Sequence, residues 1–330
     1  MASELADRLA SLFLVGFEGP HFSDFLRRRL DEGVGGFILF RRNIEDRAQV
    51  GELVERIRAY RQGPVLIAVD QEGGRVQRLR AGFTLIPTAR QLAESESVTH
   101  VEELGSQVGA ELRSVGINWN FAPVLDVDTN PNNPIIGDRA YSRTPDGVSA
   151  YGLAFAKGLE ASGVASCGKH FPGHGDTSLD SHLELPTIGH DLARLRSVEL
   201  PPFRAYGELG LASIMTAHVL FPELDAQRPA TLSPKLLTDI LRGELGFQGL
   251  IVSDDLDMKA IADHFGSERA SVEGLAAGID AFLACEQPEV FERSVNALVR
   301  AVNEGVVDEV RYLEACSRMA RFQQRWALTP

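Results

Sequence analysis

The sequence predicts one α/β domain folded as a (β/α)8 barrel. Three observations lead there. Eight short apolar runs recur along the 330 residues, amphipathic helical patterns lie between them, and polar residues gather just past the C-terminal ends of five successive runs. Strands alternating with helices specify a parallel sheet. Polar groups collected at one end of the strands are the mark of a barrel mouth.

In chain order the apolar runs are residues 12–17, 34–40, 65–69, 117–124, 164–169, 213–216, 250–252 and 279–283. Most are continuous rather than alternating, as expected for strands buried on both faces. Between them, Val50, Leu53, Val54 and Ile57 follow helical spacing, and Gly63-Pro64 stops that helix. Val101, Leu104, Val108, Leu112 and Val115 repeat the pattern, with Gly116 as its stop. Ser233-Pro234 reads as an N-cap and first-turn pair for a helix from residue 235 to about 242. Residues 290–302 and 310–322 give two further helices, so that the segment from about 286 to 330 packs on the barrel. No Gly/Ser/Pro-rich linker or repeat divides residues 1–330, which are read as one catalytic domain. An open doubly wound sheet competes, but Gly16-Phe17-Glu18-Gly19-Pro20 after the first run makes no dinucleotide-binding turn.

A formal charge of −13 disfavours nucleic acid and anionic membranes, which require basic surfaces. Cys167, Cys285 and Cys316 are sparse and widely spaced. They read as reduced thiols of a cytoplasmic protein rather than as a disulfide framework or zinc cluster. The N-terminus carries acids where a secretory signal needs bases, and the run at 12–17 is too short to span a membrane.

Chemistry concentrates in Lys169-His170-Phe171-Pro172-Gly173-His174-Gly175-Asp176-Thr177-Ser178-Leu179-Asp180-Ser181-His182. Three His, two Asp and one Lys in fourteen residues exceed what a fold needs in one loop. Its glycines and proline forbid a helix. The other strand ends carry Asp70, then Asp126 and Asp128, then His218, then Asp254 and Asp255. Each has a plainer reading. Asp255 and Asp257 serve as helix caps, Asp126 and Asp128 as loop organisers, and His218 as a satisfied core histidine or a hydrogen-bond donor behind the site. His174 and Asp176 can be loop-shaping residues.

Two chemistries use such a set. Metal-assisted hydrolysis draws on His and Asp ligands, yet the spacings match no standard metal motif. Glycosyl transfer to water needs one ionised carboxylate at the anomeric centre and one proton carrier at the leaving oxygen. Arg, Lys and Asp around the mouth then grip sugar hydroxyls.

The motifs carry a specific resemblance. Ile240-Leu241-Arg242-Gly243-Glu244-Leu245-Gly246-Phe247-Gln248-Gly249-Leu250-Ile251-Val252-Ser253-Asp254 resembles the nucleophile signature of glycoside hydrolase family 3. Lys169-His170-Phe171-Pro172-Gly173-His174-Gly175 with Asp180-Ser181-His182 is similar to the loop of that family's N-acetylglucosaminidase branch. Asp70-Gln71-Glu72-Gly73-Gly74-Arg75-Val76-Gln77-Arg78 and Ile136-Gly137-Asp138-Arg139 match as well. The resemblance runs from about residue 10 to about 290.

The resemblance implies a retaining exo-β-N-acetylglucosaminidase of cell-wall recycling. Asp254 is then the covalent nucleophile, His182 the general acid/base and Asp180 its partner. Asp70, Arg78, Arg139, Lys169 and His170 bind the terminal N-acetylglucosamine. No cofactor and no metal are implied. The partner is a small molecule, an N-acetylglucosaminyl-anhydromuropeptide. An Asp–His pair makes physical sense as acid/base, because imidazole carries its proton on a useful fraction of molecules near neutrality. A carboxylate on the other ring nitrogen fixes the tautomer. A glycoside phosphorylase or a broader β-glycosidase is the alternative within carbohydrate chemistry, with a metal-dependent hydrolase further off.

Overall fold

The computed structural model describes residues 2–178 and 185–327. Among these, eight parallel strands form one sheet, here labelled β1 (Phe13–Val15), β2 (Gly36–Leu39), β3 (Leu66–Val69), β4 (Trp119–Asn120), β5 (Cys167–Phe171), β6 (Ser213–Thr216), β7 (Leu250–Asp255) and β8 (Ala281–Ala284). Each strand follows one of the eight apolar runs. Neighbours in sequence are neighbours in the sheet, and β8 pairs with β1, Leu14 lying against Leu283. Isolated bridges from Trp119 to Ala165 and from Val124 to Lys169 join β4 to β5. The sheet therefore closes into the barrel that the sequence predicts.

β1 to β4, β6 and β8 are buried along their whole length, as is β5. That burial explains the continuous apolar runs, since both faces of each strand meet protein. Helices then pack outside through the predicted stripes. Arg47–Arg61 buries Val50, Leu53, Val54 and Ile57, and Asp46 caps it by accepting from the Gln49 N–H. Val98–Ser114 buries Val101, Leu104, Val108 and Leu112 in the same manner. Each fully buried leucine or valine stabilises the fold by ~1.5–3 kcal/mol relative to exposure.

One helix differs from expectation. Lys235–Glu244 has π geometry rather than α, and its end shows a five-residue step in which the Leu245 N–H donates to the Ile240 carbonyl at 2.8 Å. Apolar spacing does not separate the two forms, because Leu236, Leu237, Ile240 and Leu241 are buried in either. Ser233 still caps it weakly, accepting from the Leu236 N–H at 3.4 Å.

The chain continues past β8 with helices Pro288–Asn303 and Glu309–Trp326. Phe322 of the last helix sets its ring 4.7 Å from that of Trp119, a β4 residue. Trp119 also donates its indole N–H to Ser213 Oγ of β6. Among the described residues, no helix is long and apolar enough to cross a membrane.

Candidate active site

A cavity of about 510 Å³ opens at the C-terminal ends of the strands. Asp70, Arg78, Arg139, Lys169, His170 and Asp254 all line it, beside an apolar wall that includes Phe40, Phe121, Met215 and Leu283. Its size suits a small ligand. Strand geometry delivers these groups. Asp70 stands one residue past β3, Lys169 and His170 lie within β5, and Asp254 lies within β7.

The cations are held by carboxylates. Lys169 Nζ sits 2.8 Å from Asp70 Oδ1 and 2.6 Å from Glu72 Oε1. Arg139 donates through Nε and Nη2 to the two Glu72 oxygens, both at 2.8 Å. Arg78 Nη2 reaches Asp70 Oδ2 at 3.4 Å, and its guanidinium lies 5.8 Å from the centre of the Phe40 ring. The result is an alternating chain of charge: Arg139, Glu72, Lys169, Asp70, Arg78.

Burial alone would push both carboxyls up. For Asp70 the Lys169 ammonium and the Arg78 guanidinium outweigh it, and the carboxyl titrates below its ordinary value. For Glu72, Arg139 and Lys169 outweigh burial and hold the carboxyl well below the usual range. Burial works against the Lys169 charge, but Asp70 and Glu72 more than compensate, so Lys169 stays protonated. Such a network is fully ionised near neutrality.

His170 is fixed by Asp126. Its Nδ1 lies 2.7 Å from Asp126 Oδ2, while Asp126 Oδ1 accepts from the backbone N–H of His170 at 3.2 Å and of His174 at 2.7 Å. Asp126 is fully buried. Burial pushes its carboxyl up, but His170 and then His174 outweigh burial and leave it below its ordinary value. Asp126 thus does more than order its loop. Asp128 does order a loop, accepting from Arg90 Nη2 at 2.8 Å.

Asp254 points from β7 into the cavity and accepts from the Asp255 N–H at 2.8 Å. Asp255 and Asp257 also line the cavity and do not cap the next helix as their position suggests, since Lys259–Ala262 starts at Met258 without a side-chain cap. Asp255 Oδ1 instead accepts from the N–H groups of Asp257 and Cys285, both at 3.1 Å. Asp257 Oδ2 accepts from the N–H groups of Cys285 and Glu286, both at 2.9 Å, just before helix Pro288–Asn303. Burial first, and then Asp257, drive the Asp255 carboxyl well above its ordinary value. His218 is buried, with Nδ1 2.8 Å from Thr231 Oγ1 and Nε2 2.9 Å from the Asp255 carbonyl. It matches the reading as a satisfied histidine behind the site. His174 is also buried, its Nδ1 2.8 Å from Thr177 Oγ1, and burial followed by the neighbouring His170 lowers its titration to about 4.

Asp180 and His182 lie outside the described residues. Glu72 was not singled out by sequence, although it sits inside a matched motif. Asp126 reads from sequence only as a loop organiser. Among the described residues, no group of three or more His, Cys, Asp or Glu side chains is arranged to hold a metal ion.

The family model described as the glycosyl hydrolase family 3 N terminal domain matches residues 7–322. The chain belongs to glycosyl hydrolase family 3. A protein of Thiobacillus denitrificans named beta-hexosaminidase is 45% identical over 284 residues, 84% of this chain and 79% of its own length. A family 3 beta-N-acetylglucosaminidase from Paenibacillus sp. str. FPU-7 superposes with a TM-score of 0.95 at 40% identity. That match covers 97% of this chain but only 62% of the Paenibacillus chain, so the present chain spans less than two thirds of it. The NagZ protein of Neisseria gonorrhoeae, solved with N-trifluoroacetyl-D-glucosamine, gives a TM-score of 0.79 at 34% identity, covering 94% of this chain and 98% of its own.

Proposed function

We propose that this family 3 glycoside hydrolase is a retaining exo-β-N-acetylglucosaminidase. One observation carries the reading: the Asp254 carboxylate shares a single cavity with Arg78, Arg139, Lys169 and His170, in a chain whose relatives are named beta-hexosaminidases. Asp254 attacks the anomeric carbon and forms a glycosyl ester, which water then hydrolyses with net retention. His182, oriented by Asp180, protonates the leaving oxygen in the first step and deprotonates water in the second. Arg78, Arg139, Lys169, His170 and Asp70 hold the hydroxyls of the terminal sugar by charge-assisted hydrogen bonds. The natural substrates are N-acetylglucosaminyl-1,6-anhydro-N-acetylmuramic acid and its peptide-bearing forms, turned over in the cytoplasm during cell-wall recycling. In organisms with inducible β-lactamases that route bears on antibiotic resistance, and through the wall it bears on cell shape and division.

The test is hydrolysis of p-nitrophenyl β-N-acetylglucosaminide beside the glucoside and the N-acetylgalactosaminide, with and without EDTA and phosphate. Preference for the N-acetylglucosaminide, unchanged by chelation and yielding free sugar in phosphate, supports the reading. A sugar phosphate product assigns a phosphorylase instead, and loss of activity with EDTA assigns a metal enzyme.

A further inference from the structure

Glu72 belongs to a short antiparallel hairpin formed by Gln71–Gly73 and Val76–Gln77, directly after β3. The hairpin is rigidly seated. Gln71 Nε2 donates to the Leu79 carbonyl at 2.8 Å while its Oε1 accepts from the Leu79 N–H at 3.0 Å. The Gln71 N–H in turn donates to Asn120 Oδ1 of β4 at 3.0 Å. Gly73 adopts φ +118°, and a Cβ there would stand 2.4 Å from the Pro87 carbonyl oxygen, so this turn admits only glycine. Glu72 is thereby held on the cavity wall with its side chain only 6% exposed.

Both of its oxygens are committed. Each accepts from Arg139 at 2.8 Å, and Oε1 also meets Lys169 Nζ at 2.6 Å. A bidentate guanidinium–carboxylate pair fixes orientation as well as distance. The two cations come from different elements, Arg139 from the turn Gly137–Arg139 after β4 and Lys169 from β5. Without a shared anion, nothing among these contacts ties one to the other, and two like charges would separate.

We propose that Glu72 is a positioning residue that locks the Lys169 ammonium and the Arg139 guanidinium at a fixed spacing, so that both meet the terminal sugar already oriented. This rests on the reading of Lys169 and Arg139 as sugar ligands. Glu72 acts through them, and its worth appears as tighter sugar binding rather than as proton transfer.

The probes are free N-acetylglucosamine, titrated calorimetrically, and p-nitrophenyl β-N-acetylglucosaminide with its 3-, 4- and 6-deoxy analogues. The variants are Glu72→Gln, Glu72→Asp, Arg139→Met and Lys169→Met. Glu72→Gln is expected to weaken binding of N-acetylglucosamine and raise KM about tenfold or more, with the far-UV spectrum retained. The penalty is expected to shrink to less than about threefold on the deoxy analogue lacking the hydroxyl that the cations grip. Arg139→Met added to Glu72→Gln is expected to cost less than the product of the single effects, as for residues acting as a unit. Affinity within about threefold of wild type in Glu72→Gln overturns the proposal. So does an equal penalty on every deoxy analogue, which marks a general distortion. If Glu72→Gln does not fold, Glu72→Asp decides by the same criteria, because a carboxylate one methylene shorter cannot span both cations. Should Arg139→Met and Lys169→Met both bind N-acetylglucosamine normally, the underlying assignment of sugar ligands fails. Weak binding in those two with normal binding in Glu72→Gln rejects the Glu72 role alone.

Discussion

The carboxylate of Asp126 holds the imidazole of His170 by its Nδ1 at 2.7 Å, leaving the other ring nitrogen for the cavity that Asp254 also lines. The same carboxylate ties down the backbone N–H of His174, so one buried acid from the β4 side sets both the ring and the start of the loop after β5. Replacing it by alanine strands three donors. Asp126→Ala is expected to lower kcat/KM about tenfold or more, and to cost stability of about 1–3 kcal/mol from unsatisfied buried groups. Steady-state kinetics with urea unfolding measure both. A variant within twofold of wild-type kcat/KM contradicts this positioning.

Acid should weaken the fold through the cavity network. Asp70, Glu72 and Asp126 all titrate below their ordinary values in the native state. A carboxyl depressed on folding contributes stability that is complete above its unfolded value, roughly 4, and is lost as pH falls through the native value. Unfolding midpoints in urea are therefore expected to drop below about pH 4. Glu72→Gln should flatten this acid limb while lowering stability at neutral pH. An acid limb as steep as that of wild type rules out the contribution assigned to Glu72.

His174 predicts a second, milder pH dependence. It titrates at about 4 in the fold, against an unfolded value of about 6.5. The native state then binds fewer protons than the unfolded chain, so stability is full above about pH 6.5 and declines as pH falls toward 4. His174→Asn should remove this decline. Ring-proton NMR titration of wild type is the direct check, and a native midpoint near 6.5 would refute the assignment.

Gly175 is predicted to be irreplaceable in the loop after β5. A Cβ at that position would stand 1.8 Å from the Val127 carbonyl oxygen, closer than any real contact. Backbone must move to admit even alanine. Gly175→Ala is expected to cost at least ~2 kcal/mol, or to displace the loop with a tenfold or larger loss of kcat/KM. Wild-type melting and wild-type turnover together would show that the loop does not pack on Val127 as described.

The barrel was legible because burial on both strand faces writes itself as continuous apolar runs, and runs need no tertiary knowledge to be read. Strand limits were less legible. Of the run at 117–124, only Trp119–Asn120 forms a named strand, with Val124 adding one isolated bridge to Lys169, because hydrophobicity reports burial and not hydrogen bonding. The cavity residues that end a run or follow it within two positions, Asp70, Lys169, His170 and Asp254, were readable from position. Their anchors were not. Glu72 meets Arg139 across 67 residues and Asp126 meets His170 across 44, and nothing in local spacing records which acid will face which cation. The π geometry of Lys235–Glu244 was hidden for a similar reason, since its buried face matches that of an α-helix.

If Asp254 is the nucleophile proposed above, a slow substrate will leave its sugar covalently attached to that carboxylate. The enzyme would be incubated with a slow-turnover 5-fluoro N-acetylglucosaminide, digested, and mapped by mass spectrometry. One added glycosyl group is expected on the peptide containing Asp254, and none in Asp254→Asn. A label on any other residue, or inversion at the anomeric carbon in product NMR, would contradict that role for Asp254.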